Sequence, residues 1–366
     1  MFNGLSQLKK GLSKGAIHGL NGGRMQGLNS GLNPRTRKYS TIARIVIDKS
    51  KCGASDLTNF PVCVSLNNKV FANIANGGRV FSPNGYDILF FSDAGCTSPL
   101  FFELEYYNVS GIFVAWVNVP KVYSNVDTVF YMKFGIPSVA ISVNSTSAWD
   151  SNFKSVYHLP NGTTLTSNDS TSNAANGTLV NTPTPVSGKI DGGASFVGAS
   201  NQYINLGAQN IGITYTASLW VNPSANGTIL ISDRDVIYVG NQMNLVLTGG
   251  YVLRLYIKNT FVTSVAALTA NVWNKVGVTY ASNTVNFWIN GIKGANQTLA
   301  QTPAYNAGVP LWLASQSVAG VPNSSYSGIL DEVKISNIVR SDDWMLTEYN
   351  NESSPSTFYS VQVINN

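Results

Sequence analysis

The chain holds five glutamates, Glu103, Glu105, Glu332, Glu348 and Glu352, and two histidines, His18 and His158. Glycoside hydrolysis needs two carboxylates flanking the scissile bond. Glu103 and Glu105 alternate along a strand-like stretch, which would set them on one face roughly 7 Å apart. They read as a solvated strand face, so no catalytic residue is assigned and an enzyme is not expected. His18 lies in a basic segment and His158 at a domain joint, so a histidine-based triad is not expected either. The acid that stands out is Asp331. In Gly328 to Ser336, Ile329, Asp331, Val333 and Ile335 alternate with Leu330, Glu332, Lys334 and Ser336, the period of a strand. The first set is apolar except for Asp331. A carboxylate in apolar company must be hydrogen-bonded or bound to a cation, because bare burial costs several kcal/mol.

The elements around these residues are strands. Charged residues are 11% of the chain, and Asn, Ser, Thr and Gly take their place beside many β-branched and aromatic residues. That is an all-β composition. TIARIVIDK, NFPVCVSLN, YDILFFSDAG, LFFELEYYN, GIFVAWVNVP and TVFYMKFG follow one another with turn residues between them, which predicts a β-sandwich over residues 41–148. Further strands follow, among them GKIDGGASF (188–196), ASLWV (217–221) and VNFWING (285–291), the last ending in an Asn-Gly hairpin signal. They predict a second sandwich over residues 149–350. After Ser336 the chain offers Ser341 as a helix N-cap, with Asp342 and Asp343 in the first turn. Residues 351–366 read as a C-terminal tail.

The net charge of +5 is unevenly placed. Residues 1–47 carry eight basic residues and no acid, and the remainder is slightly acidic. Within residues 1–40, Gly-Leu recurs at Gly4, Gly11, Gly19, Gly27 and Gly31. This segment reads as an anchor arm that offers leucines to apolar pockets and bases to an acidic surface. No apolar run approaches the roughly 20 residues needed to span a bilayer, and glycines interrupt any secretory apolar run. Cys52, Cys63 and Cys96 allow at most one internal bridge; a Cys52–Cys96 pair and three free thiols are the alternatives.

The run Gly328, Ile329, Leu330, Asp331, Glu332, Val333, then Arg340, Ser341, Trp344, Tyr349, Asn350 and Asn351, closely resembles the closing segment of the laminin-G-like jelly roll, a concanavalin A-like sandwich. The first sandwich resembles a bacterial and phage domain of unknown function that commonly precedes that module. The resemblance implies two consecutive β-sandwich (jelly-roll) domains behind the Gly-rich basic arm. It also implies a structural Ca²⁺ where the first loop of the jelly roll meets its last strand, with Asp169 and Asp331 at the matching places. Ca²⁺ takes about six to eight hard oxygens. The E-x-D-x-x-E arrangement of concanavalin-like glucanases is absent. Trp116, Trp220 and Trp288 fall on alternating patterns and read as core, while Trp312, Tyr251 and Tyr305 stay open as sugar platforms.

The function expected from these features is a virion-associated attachment protein, a bacteriophage spike or fibre displayed on the virion surface. Its partners would be a capsid or other virion protein for residues 1–40, a host-surface glycan or protein for the second sandwich, and a second copy of the chain. No specific nucleic-acid site is expected. The alternative is a bacterial extracellular adhesin or carbohydrate-binding module, and a glycoside hydrolase ranks below both.

Overall fold

The computed structural model describes residues 40–137, 139, 142–160, 164–234 and 242–364. Apart from Ser40, the anchor arm expected over residues 1–40 lies outside them. Among the described residues the chain is almost wholly β.

The six strands expected in the first sandwich are present: Thr41–Ile47, Leu57–Asn67, Leu89–Phe91, Phe102–Asn108, Ile112–Val122 and Thr128–Phe134. Strand Thr41–Ile47 buries every second side chain, placing Ala43, Ile45 and Ile47 in the core. A seventh strand comes from an unexpected place. Tyr359–Ile364 lies antiparallel along Thr41–Ile47, with Ile42 opposite Ile364 and Ile47 opposite Tyr359. The expected tail over 351–366 is therefore corrected. Residues 351–353 finish a helix, Pro355–Phe358 form a short second one, and Tyr359–Ile364 close the sheet. The cause is local as well as tertiary: YSVQVI is rich in strand-forming residues, and the backbone edge of Thr41–Ile47 needs a partner. Phe358 and Tyr359 enter the core of the first sandwich with it.

The second sandwich packs a nine-stranded sheet on a seven-stranded one. Strand Gly328–Ser336 runs through the larger sheet. It pairs with Tyr215–Pro223 on one side and with Gly192–Phe196 and Phe153–Tyr157 on the other. The stretch 188–196, expected as one strand, breaks at Asp191 (φ 47°) into the hairpin of Thr184–Ile190 and Gly192–Phe196. The Asn290-Gly291 signal holds. Both residues have positive φ (51° and 76°), and they turn Thr284–Ile289 into Ile292–Lys293. All three cysteines are free thiols.

The helix Asp342–Ser353 joins the two sandwiches. The Ser341 hydroxyl accepts from the Trp344 amide (3.1 Å), as an N-cap should. Asp343 accepts from the amides of Ala54 and Ser55 in the first sandwich (2.8 and 3.0 Å). The Asn351 amide pairs with both backbone groups of Cys63, accepting at 2.7 Å and donating at 3.0 Å. Just before the helix, Arg340 grips Asp150 with two bonds (2.7 and 2.8 Å). Its guanidinium lies between the rings of Phe153 and Trp344, 4.3 and 4.1 Å from them.

Candidate functional site

The two sandwiches meet face to face, and all five glutamates of the chain converge there. In the first sandwich, Cys63, Trp116 and Glu103 stand in one cross-strand row on the face turned toward the second. Glu105 follows at an irregularity of the strand pairing and reaches the same side. The reading of Glu103 and Glu105 as a solvated face is corrected: their side chains are 19% and 2% exposed. The second sandwich covers them.

The opposite wall is the strand Gly328–Ser336, and its register matters. Ser218 pairs with Lys334, but Trp220 pairs with Asp331, so one extra residue bulges between them. Glu332 takes φ 50°, a conformation that a long side chain rarely adopts. The bulge breaks the expected alternation. Leu330, Val333 and Ile335 join the apolar core, while Glu332 and Lys334 turn to the interface. The face expected to hold Ile329, Asp331, Val333 and Ile335 together does not exist.

The cluster has two parts. At one end Lys275 bridges Glu348 (2.8 Å) and Glu352 (2.7 Å), and Lys334 pairs with Glu352 while lying 4.1 Å above the Trp116 ring. Glu348 and Glu352 are four residues apart and share a helix face. At the other end His158, just after strand Phe153–Tyr157, sits among three acids. Its Nδ1 lies 2.8 Å from Glu332 Oε1 and 3.5 Å from Glu105 Oε2, and its Nε2 lies 3.4 Å from Glu103 Oε2. Three indoles hold the glutamates in place: Trp116, Trp149 and Trp220 donate to Glu105, Glu103 and Glu352, each at 2.7 Å. Trp116 and Trp220 are buried as expected, yet each works as a donor as well as an apolar filler.

Electrostatics follow from this packing. Burial alone would push His158 down, but Glu332, Glu105 and Glu103 outweigh it and hold the imidazolium well above its ordinary range. Burial raises Glu105, with a further push from Glu332, beyond what His158 returns. Burial also raises Asp331. Glu348 goes the other way: Lys275 and Lys334 overcome its burial and hold it near about 2. Among the described residues of this cluster, the buried carboxylate oxygens Glu105 Oε1, Asp331 Oδ1 and Glu332 Oε2 have no hydrogen-bond partner. A cleft of about 150 Å³ opens onto this end, lined by Glu103, Glu105, His158, Thr166, Asn168 and Ser170 among others.

The two expected calcium ligands, Asp169 and Asp331, both accept bonds from backbone amides. Asp169 is the hub of its loop. It accepts from the amides of Val156, Thr171 and Ala175 and from the Thr171 hydroxyl, at 2.8–3.0 Å. Asp331 Oδ2 accepts from the amides of Lys189 and Ile190 (2.8 and 2.9 Å). Among the described residues, the group of three acid and histidine ligands that lie close enough to hold one ion is Glu105, His158 and Glu332. The sequence signal that could have shown them is Asp331-Glu332, two adjacent acids followed by Lys334 in an otherwise apolar strand.

A second surface lies on the outer face of the seven-stranded sheet. Asn205, Trp312, Ser232, Asn244, Tyr256 and Phe261 are cross-strand neighbours in one row over six strands. At the buried end Trp312 stacks on Tyr203 (4.1 Å). In the middle Gln316 accepts from Asn244 (3.3 Å) and donates to Asn323 (3.1 Å). The far end is open. Phe261 is 47% exposed, and Arg254 lies 4.2 Å over its ring. Arg254 is pinned by bonds to Thr263 and Tyr256 hydroxyls, both 3.1 Å. Tyr305 is also exposed but stands outside this row. Tyr203, Asn244, Arg254, Tyr256, Phe261 and Gln316 were not legible as a set, because each sits in an ordinary alternating strand.

A family model described as the Concanavalin A-like lectin/glucanases superfamily matches residues 198–345. No curated protein matches the sequence. Three of the similar solved structures illustrate the likeness. One is domain 4 of AbnA, a GH43 extracellular arabinanase from Geobacillus stearothermophilus, in complex with arabinotriose: 18% identity, TM-score 0.45, over 54% of this chain and 98% of that one. Another is the binding domain of Paraclostridial Mosquitocidal Protein 1, at 15% identity and TM-score 0.43, over 54% of this chain and 52% of that one. A third is the CBM40 of the Ruminococcus gnavus IT-sialidase bound to α2,3 sialyllactose, at 16% identity and TM-score 0.33, over 38% of this chain and 84% of that one. The match to the concanavalin A-like lectin/glucanases superfamily falls on residues 198–345, within the second of the two packed β-sandwiches.

Proposed function

We propose that the chain is an extracellular glycan-binding protein and that the open end of the outer sheet row is its binding surface. The observation that carries this is the platform of Phe261, Arg254 and Tyr256 on a sheet of the lectin-type domain. A sugar ring presents an apolar face and a rim of hydroxyls. An exposed aromatic takes the first, and a pinned guanidinium and tyrosine hydroxyl take the second. Arg254 is already ordered by Thr263 and Tyr256, so little side-chain freedom is lost when a ligand arrives.

Screening the purified protein on a glycan array, followed by calorimetry with the best ligand, tests the reading. Phe261→Ala should weaken that ligand about tenfold, or ~1.4 kcal/mol, with an unchanged circular dichroism spectrum. Binding that survives both Phe261→Ala and Arg254→Ala would place the site elsewhere. Hydrolysis of the bound glycan, abolished by Glu103→Gln, would turn the reading toward a glycosidase.

The finer reading, a phage spike or fibre, rests on residues 1–40, whose basic side chains and regular leucines suit an anchor to a virion protein. Deleting residues 1–40 should leave a soluble, folded body that no longer enters particles of the source virus. Normal incorporation of that body would remove the anchor.

A further inference from the structure

We infer that Glu105, His158 and Glu332 form a binding site for one divalent transition-metal ion of the zinc type, locking the first sandwich to the second. The three ligand atoms lie within 4.8 Å of one another. The individual separations from His158 Nδ1 are 2.8 Å to Glu332 and 3.5 Å to Glu105. Ligands of a tetrahedral zinc ion, about 2.0–2.1 Å from the metal, lie roughly 3.3 Å apart, so the two separations from His158 need shifts of only a fraction of an ångström. Imidazole with carboxylate suits zinc and its neighbours in the first row, whereas calcium and magnesium take oxygen alone.

Three further features of the site point the same way. Glu105 is 2% exposed at its side chain and keeps Oε1 without a hydrogen-bond partner. A buried carboxylate oxygen without a donor is costly unless a cation meets it. Charge is also out of balance. Seven carboxylates (Glu103, Glu105, Asp191, Asp331, Glu332, Glu348, Glu352) face four cationic side chains (His158, Lys189, Lys275, Lys334), leaving an excess of three negative charges when all are ionised. An ion bound to the neutral His158 imidazole displaces one proton there, so it offsets part of that excess. Finally, the surroundings already have the form of a ligand-orienting shell. His158 turns its second nitrogen to Glu103, and Trp116 donates to Glu105. The cleft lined by Glu103, Glu105 and His158 gives the ion a way in and leaves room for a water as its fourth ligand. Glu105 belongs to the first sandwich and His158 and Glu332 to the second, so the ion would bridge them.

The test uses the full chain, stripped with a chelator and dialysed. Isothermal titration with Zn²⁺, metal analysis after desalting, and the visible absorption of a Co²⁺-loaded sample give stoichiometry and ligand field. One equivalent of Zn²⁺ per chain, an intense tetrahedral-type Co²⁺ spectrum and a melting temperature raised by several degrees are expected. Glu105→Gln, which keeps the side-chain volume and the Trp116 contact, should stay folded and lose affinity by 10- to 100-fold. Glu348→Gln, at the lysine end of the cluster, should keep wild-type affinity. No stoichiometric Zn²⁺ on folded wild-type protein would overturn the site, and the charge would then be balanced by protons. Equal affinity in wild type and Glu105→Gln, or Ca²⁺ displacing Zn²⁺ at equal concentration, would overturn it as well. None of these outcomes depends on glycan binding.

Discussion

Replacing Lys334 with methionine should cost about 3–5 kcal/mol of stability, the range for leaving a buried charge without its partner. Lys334 is 3% exposed at its side chain and stands between Glu352 and Glu332, with Glu348 at 3.8 Å. Those glutamates outweigh its burial and hold the ammonium well above its ordinary value, so it is charged throughout the accessible pH range. Methionine fills the same space over the Trp116 ring but withdraws the charge. Glu352 then retains Lys275 alone, which it already shares with Glu348. Urea denaturation followed by tryptophan fluorescence measures the loss. Adding Glu352→Gln to Lys334→Met should recover part of it, since the stranded carboxylate goes with its partner. A loss below about 1 kcal/mol would mean that the interface is wet and its charges screened.

Ending the chain after Ser353 should abolish cooperative folding of the first sandwich. The cut removes Phe358, which is fully buried, and Tyr359, whose hydroxyl bonds to both backbone groups of Ser65 (2.8 and 3.0 Å). A Phe→Ala change alone in such a core costs about 3–5 kcal/mol. The cut also strips one of the two strand partners from Thr41–Ile47, leaving an apolar strand with an open edge that recruits other chains. Limited proteolysis should cut within residues 41–134 of the shortened protein, and size-exclusion chromatography should show aggregates. A monomer with the full-length melting curve would show that the strand contributes little.

Much of the fold could be read from period and turn residues. Thr41–Ile47 and Thr128–Phe134 alternate cleanly because one face of each is core. The cap at Ser341 and the Asn290-Gly291 turn are local chemistry, and both stand where the sequence put them. What escaped is non-local. A bulge at Glu332 is one residue of extra length, and no alternation rule reveals on which residue it falls, yet it decides which side chains face the core. Glu103 and Glu105 look like a wet face until the second sandwich is laid over them. Tyr359–Ile364 reads as a tail because its partner is at the opposite end of the folded region. Phe261 and Arg254 alternate as in any half-buried strand, and the contact that makes them a platform crosses between strands.

The return of Tyr359–Ile364 to Thr41–Ile47 has a consequence for biosynthesis. The nascent first sandwich emerges from the ribosome one strand short and stays so while more than two hundred further residues are made. The usual N-to-C order of domain maturation is thereby reversed. The second sandwich, whose strands are all translated by Ser336, is the unit that can mature first, and it then presents the glutamate-lined face against which the earlier half docks. A chaperone that shields the open edge of Thr41–Ile47 during this interval would raise the yield of the folded protein, and rare codons between residues 134 and 359 would lower it.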